Sequence, residues 1–160
     1  MVLDKAMNPR GQPQYLANIA LKVNVKRGGT NSIVAEPLFR KARWMLLGGD
    51  TSHPSPAQLR MDPPPPTYAA LTGSWDKDCC AYTSVASAQF SREQIISDFD
   101  VMAKELLERY KVKNNGRYPE RILYYRDGLS ESQYSSIMAE EVQPLKGLKS
   151  NLQSKRDANW

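Results

Sequence analysis

Arg43-Trp44-Met45-Leu46-Leu47-Gly48-Gly49-Asp50 is a continuous apolar run that closes on two glycines and a carboxylate. It is too short for a helix of ordinary length and shows no alternation, which is the pattern of a central strand buried on both faces. Downstream, prolines recur from Pro54 to the run Pro63–Pro66, where neither a ladder nor a helix persists, so a loop must follow the strand. Residues 67–75 and 79–90 then read as two strands joined through the polar turn Asp76-Lys77-Asp78, giving a hairpin.

Helical periodicity takes over at Arg92 and lasts to Tyr110, with Ile95, Phe99, Met102 and Leu106 along one face. Ser91 and Gln94 have the spacing of a capping box at its start, and Asn114-Asn115-Gly116 ends it. Arg121-Ile122-Leu123-Tyr124-Tyr125-Arg126 is a further strand that closes on Asp127-Gly128, and Ser130 with Gln133 opens another capped helix that Pro144 should stop or kink. Upstream, Tyr15, Leu16, Ile19, Ala20 and Val23 recur at helical spacing until Gly28-Gly29, which predicts a short amphipathic helix with Lys22 and Lys26 on one face. Residues 1–13 read as a flexible lead-in, and 146–160 as a polar, weakly patterned tail.

Strand, hairpin, crossover helix and a strand parallel to the first make an α/β fold, a mixed sheet with helical cover. In that topology Asp50 and Asp127 fall at the C-terminal ends of neighbouring strands, where two carboxylates can share a divalent cation. An Asp before Gly also forms turns, so the pair alone leaves both readings open.

The chain of 160 residues, 41% hydrophobic and 24% charged, suits one globular domain. No apolar run has the length of a membrane span and no signal-peptide pattern opens the chain, so the expectation is no membrane partner and a cytoplasmic or nuclear setting. The net charge of +5 is uneven: residues 1–49 hold eight Lys/Arg against Asp4 and Glu36. An anionic partner is therefore to be sought at that end. The adjacent Cys79 and Cys80 lack both disulfide geometry and zinc spacing and read as small core residues. His53 reads as a loop histidine held by hydrogen bonds, and Tyr15, Trp44, Trp75, Tyr124 and Tyr125 as packing residues.

The wording around these features carries a resemblance. Leu46-Leu47-Gly48-Gly49-Asp50-Thr51-Ser52-His53-Pro54 resembles the first catalytic motif of Argonaute proteins, and Ile122 to Gly128 resembles their second. The segment Leu16 to Asn31 is similar to the junction of the MID and PIWI domains, while Leu71 to Asp76 and Arg92 to Ile96 fall between in the family's order. The resemblance covers residues 14–145 and implies a partial PIWI domain with a ribonuclease H-like fold, incomplete at its C-terminal side.

It further implies small guide RNA and target RNA as partners, together with silencing-complex proteins, and an Mg2+ cofactor for which Mn2+ can substitute. Lys22 and Lys26 match lysines that hold the guide's 5′ phosphate, and Asp50 and Asp127 match metal-binding, catalytic aspartates. One departure stands inside the match. Family slicers carry Gln-Glu-Ile-Ile where this chain has Glu93-Gln94-Ile95-Ile96, which puts an amide, Gln94, at the position of a ligating carboxylate and leaves Glu93 one residue away. The expectation is a nucleic-acid-binding part of an RNA-silencing protein with an incomplete catalytic site. The alternatives are a magnesium-dependent, guide-directed endoribonuclease when joined to a longer chain, and a non-catalytic protein-interaction fragment.

Overall fold

A computed structural model describes residues 12–33 and 41–157, which belong to two compact units, 1–36 and 37–160, each considered by itself. Most of the expected lead-in lies outside the described residues.

In the first unit α1 runs from Gln12 to Lys26. It ends where expected, because Gly28 adopts φ +84° and Gly29 N donates to Asn24 O at 2.8 Å. Asn31 ties the following turn back to the helix, donating to Leu21 O at 2.9 Å and accepting from Asn24 Nδ2 at 2.8 Å. Lys22 and Lys26 are exposed.

In the second unit four strands, β1 (Trp44–Ser52), β2 (Thr67–Ser74), β3 (Tyr82–Gln89) and β4 (Arg121–Arg126), form one sheet in the order β3-β2-β1-β4. The β1–β2 and β2–β3 pairs are antiparallel and β1–β4 is parallel, with Gly49 opposite Arg126. The run that opened the sequence is indeed central, paired on both sides, but its burial alternates. Met45, Leu47 and Gly49 face the core, whereas Leu46 and Gly48 are half-buried and Asp50 is exposed. Helical cover among the described residues thus lies on one sheet face, and the other stays open around Tyr68, Ala70, Ser84, Ala86 and Tyr125.

The covering helix α2 spans Phe99–Lys113 and buries Phe99, Met102, Ala103, Leu106, Leu107 and Tyr110 against Met45, Leu47, Ala69 and Leu71. Each of the Leu, Met and Phe side chains among them, taken fully from water, contributes about 1.5–3 kcal/mol before entropy is charged. The expected start at Arg92 is corrected. Arg92 sits at φ +67°, off the helical path, Ser91 Oγ donates to Pro65 O, and Gln94 caps nothing. The segment 92–97 remains irregular because side chains satisfy its backbone. Gln89 Nε2 donates to Glu93 O and Ile95 O, both at 2.7 Å, Gln89 Oε1 accepts from Ser97 N at 3.3 Å, and Glu141 accepts from Ile96 N at 3.0 Å. Periodicity reports which residues face the core and does not see such tertiary acceptors.

The hairpin turn is longer than expected. Asp76 Oδ1 accepts from Cys80 N at 2.9 Å and Ala81 N at 2.8 Å, which holds Cys79, at φ +54°, and Cys80 in the turn and half-buried instead of on a strand. Burial pushes both thiols above their ordinary range, and the carboxylates of Asp76 and Asp78 add to the effect.

The Ser130–Gln133 capping box is present and opens a 3₁₀ turn, Glu131–Gln133, that leads into α3, Tyr134–Ile137. Pro144 does not end this unit. A π-helical turn, Met138–Val142, precedes it and α4 continues over Gln143–Asp157, so the proline falls where a wide turn has already displaced the carbonyl it would strike. Leu145 is buried and Leu148 and Leu152 pack against the core, so the start of the expected polar tail is a packed helix.

Candidate functional site

The parallel register of β1 and β4 brings Asp50 and Asp127 together as the sequence requires. Beyond the Gly49–Arg126 rung, Asp127 N donates to Gly49 O at 3.1 Å, so the two aspartates occupy the next step of adjacent strands. Both are exposed, and strand alternation sends Asp50 to the open face. Each commits one oxygen locally: Asp50 Oδ1 accepts from Thr51 N and Asp127 Oδ1 from Gly128 N, both at 2.8 Å. The two glycines before Asp50 have different duties. Gly48 opens onto free space, whereas a Cβ at Gly49 would lie 2.6 Å from the Tyr124 hydroxyl and 3.2 Å from Ile96 Cδ1.

Gln94 reaches this pair without adding a charge. Its Nε2 donates to Gly128 O at 2.7 Å, and its Oε1 accepts from His53 Nε2 at 2.5 Å. Arg92 N donates to Thr67 Oγ1 at 2.9 Å, and the same Oγ1 is hydrogen-bonded to His53 Nδ1 at 2.9 Å. The result is one hydrogen-bonded chain from β2 through His53 and Gln94 to the backbone after Asp127. Gln94 is thus a neutral staple between the loops that follow the two aspartates, in place of the cap read from the sequence. Only an amide suits it, since a carboxylate could not donate to Gly128 O. Glu93 is half-buried, and among the described residues its carboxylate makes no hydrogen bond or ion pair.

Beneath the pair lies an ion pair that sequence reasoning missed. Arg126 and Glu141 have side chains 4% and 0% exposed, with Arg126 Nε 3.2 Å from Glu141 Oε2. Tyr124 OH donates to Glu141 Oε2 at 2.6 Å, and the Phe99 ring packs on Tyr124 with centroids 5.3 Å apart. Burial first, then the hydrogen bond and charge of Glu141, hold the Tyr124 phenol well above its ordinary range. The guanidinium also donates to Gln94 O and, at 2.6 Å, to Asp127 O. Glu141, Arg126, Gln94 and Asp127 are therefore one connected unit. The available signal was the spacing of Ile137, Glu141 and Leu145, four apart on one helical face and all buried.

His53 is held by hydrogen bonds as expected. Of the aromatics assigned to packing, Tyr124 joins the core and Trp75 carries Lys113 over its ring at 5.2 Å, but Tyr125 is 61% exposed on the open face. Lys22 and Lys26 share a face of α1, in the other unit.

Two carboxylates at adjacent strand ends are hard oxygen donors that fit one Mg2+, which commonly takes one or two carboxylates, keeps several waters and completes its shell with phosphate oxygens. Among the described residues no group of three or more His, Cys, Asp or Glu side chains is placed to hold a metal. The donors therefore fit a cation shared with a ligand's phosphate and do not form a closed metal cage.

A mixed sheet in this order, with helices on one face and paired aspartates at the ends of its parallel strands, is a ribonuclease H-like fold. The model of the Piwi domain family matches residues 1–159, and the chain belongs to that family. It is 36% identical over 140 residues to Protein argonaute 2 of Oryza sativa subsp. japonica, and the match covers 86% of this chain and 13% of the relative. It is 35% identical over 153 residues to Protein argonaute 1B of the same organism, covering 83% of this chain and 13% of that protein. Among solved structures, the N. crassa QDE-2 AGO MID-PIWI domains match with TM-score 0.73 and 30% identity, covering 91% of this chain and 41% of that one. A Kluyveromyces polysporus Argonaute with a guide RNA matches with TM-score 0.72 and 27% identity, covering 84% and 15%. The chain thus spans a minor part of the length of these Argonautes.

Proposed function

We propose that this chain is a guide- and target-RNA-binding part of an Argonaute PIWI domain whose described residues supply two of the metal-holding carboxylates and no third. The observation that carries the reading is the placement of Asp50 and Asp127 at the same step of the neighbouring β1 and β4 chains, both exposed, with Gln94 engaged by His53 and Gly128 O. Asp50 and Asp127 would hold Mg2+, or Mn2+ in its place, and the cation would supply charge neutralisation at a bound phosphodiester. Arg126 and Gln94 keep the two strand exits in register. Lys22 and Lys26 offer two point charges for a terminal phosphate.

The test is RNA binding by fluorescence anisotropy, with and without a 5′ phosphate and with and without Mg2+. Wild type should prefer the 5′-phosphorylated strand, and Lys22→Ala with Lys26→Ala should remove that preference and make the salt slope shallower by roughly 1.4. Asp50→Asn should remove the Mg2+-dependent increment alone. RNA binding that ignores the 5′ phosphate, the salt and both variants would overturn the assignment.

The limited span of the match to longer Argonautes favours a second reading, that in a longer protein Asp50 and Asp127 serve a magnesium-dependent endoribonuclease. Guide-directed cleavage by such a protein, abolished by Asp50→Ala, distinguishes it.

A further inference from the structure

A groove of about 870 Å³ opens between the proline loop, the end of β3 and the irregular segment before α2. Pro63, Pro64, Pro66 and Phe90 give it apolar walls, and Glu93 and Asp98 line its rim. Phe90 is 87% exposed, the most solvent-exposed of the large apolar side chains described. An aromatic ring left in water beside a run of prolines is a surface that loses free energy by being covered.

The walls are fastened before anything binds. Ser91 Oγ donates to Pro65 O, and Arg92 N donates to Thr67 Oγ1 at 2.9 Å, tying the β3 end to the proline loop. Gln89 Nε2 holds Glu93 O and Ile95 O at 2.7 Å, which ties the same strand end to the third wall. Proline rings add no rotamer freedom of their own. An occupant therefore finds a preformed cleft and little ordering cost on this side.

Charge decides what that occupant is. The chain carries +5 overall, yet among the described residues no Lys or Arg lines this groove. A nucleic-acid backbone would set its phosphates against Glu93 and Asp98, whereas a cationic side chain there is attracted. We propose that this groove docks an extended basic segment of a partner protein. An apolar or aromatic side chain seats among the prolines and Phe90, and an adjacent Lys or Arg meets Glu93 and Asp98. The volume falls in the range of sites that enclose a ligand of drug-like size, about 300–1,000 Å³, which suits a few residues of extended chain. The residues that line this groove include neither aspartate, and the proposal does not rest on the reading of the aspartate pair.

The experiment is selection of a random-peptide phage library on the immobilised full chain, followed by anisotropy with synthetic copies of the enriched peptides. Enriched sequences should pair Lys or Arg with proline, leucine or an aromatic residue. Their affinity should fall roughly tenfold or more in Phe90→Ala and several-fold in Asp98→Asn, and it should weaken with added salt. Both substitutions are at exposed side chains, so an unchanged circular-dichroism melt verifies the fold, and Asp50→Asn should bind the peptides as wild type does. An absence of enrichment, enrichment of acidic sequences, or binding indifferent to Phe90→Ala and Asp98→Asn overturns the proposal. So does RNA that displaces the peptides from wild type and itself requires Phe90, because the groove would then belong to nucleic acid.

Discussion

Replacing Glu141 by glutamine removes one charge from a pair whose side chains are 0% and 4% exposed. Glutamine keeps one acceptor oxygen, enough for Ile96 N, but its amide N–H groups turn toward the Arg126 guanidinium, which can only donate, and toward the Tyr124 hydroxyl, which must then turn to accept. The guanidinium is then buried without a counter-charge, a change that costs about 3–5 kcal/mol when one partner of a buried pair is removed. Against a stability of about 5–15 kcal/mol this is a large fraction, and it should lower the melting temperature by roughly 10 °C. Urea unfolding followed by circular dichroism measures the total. Amide exchange locates it: Ile96 N–H keeps an acceptor, but the side chain that holds it sits beside an unpaired guanidinium and opens more often, so its protection should fall more than that of amides inside α2. Replacing both partners, Glu141→Leu with Arg126→Met, removes the orphaned charge but leaves Ile96 N–H and the Tyr124 hydroxyl without their acceptor, so it should recover only part of the loss. A Glu141→Gln variant within about 0.5 kcal/mol of wild type, with unchanged exchange at Ile96, would refute the view that this pair holds the site together.

Gln94→Glu should lose its donor to Gly128 O, costing about 1 kcal/mol, and should free a third carboxylate beside Asp50 and Asp127. Mn2+ affinity read by electron paramagnetic resonance should rise several-fold; unchanged affinity with unchanged stability would show that the staple is immaterial. Tyr110 is buried, its hydroxyl has no hydrogen-bond partner among the described residues, and burial pushes its phenol up from 10.0 to about 12. The unfolded chain releases that proton above pH 10 while the folded chain keeps it, so stability is intact below pH 10 and falls as pH rises toward about 12. Tyr110→Phe should remove about 2 kcal/mol of this alkaline loss and cost little at neutral pH, as urea midpoints across that range will register. An alkaline profile identical to that of wild type would contradict it.

Much of the site was legible because it is local in the chain. The apolar run into Gly48-Gly49-Asp50 and the strand into Asp127 each mark a strand end, and the intervening hairpin and crossover leave few ways to place them. The helix start was misread for a physical reason. Residues 92–98 keep helical apolar spacing because Ile96 and Phe99 face the core, yet their backbone bonds go to Gln89 and to Glu141, the latter 45 residues from Ile96. At Pro144 the helix does not stop, since a π-helical turn carries it past the proline.

Sequence by itself determined the mixed sheet, the two aspartates and the amide at position 94, since these depend on periodicity, strand ends and residue identity. Only the tertiary structure decided what that amide does. Its partners, His53 and Gly128, lie 41 and 34 residues away and meet it through the parallel pairing of β1 and β4. The Arg126–Glu141 pair and the acid-rimmed groove arise in the same way, from residues far apart in the chain. Side-chain hydrogen bonds and ion pairs act over a few ångströms, and only the folded backbone sets which groups come within that reach.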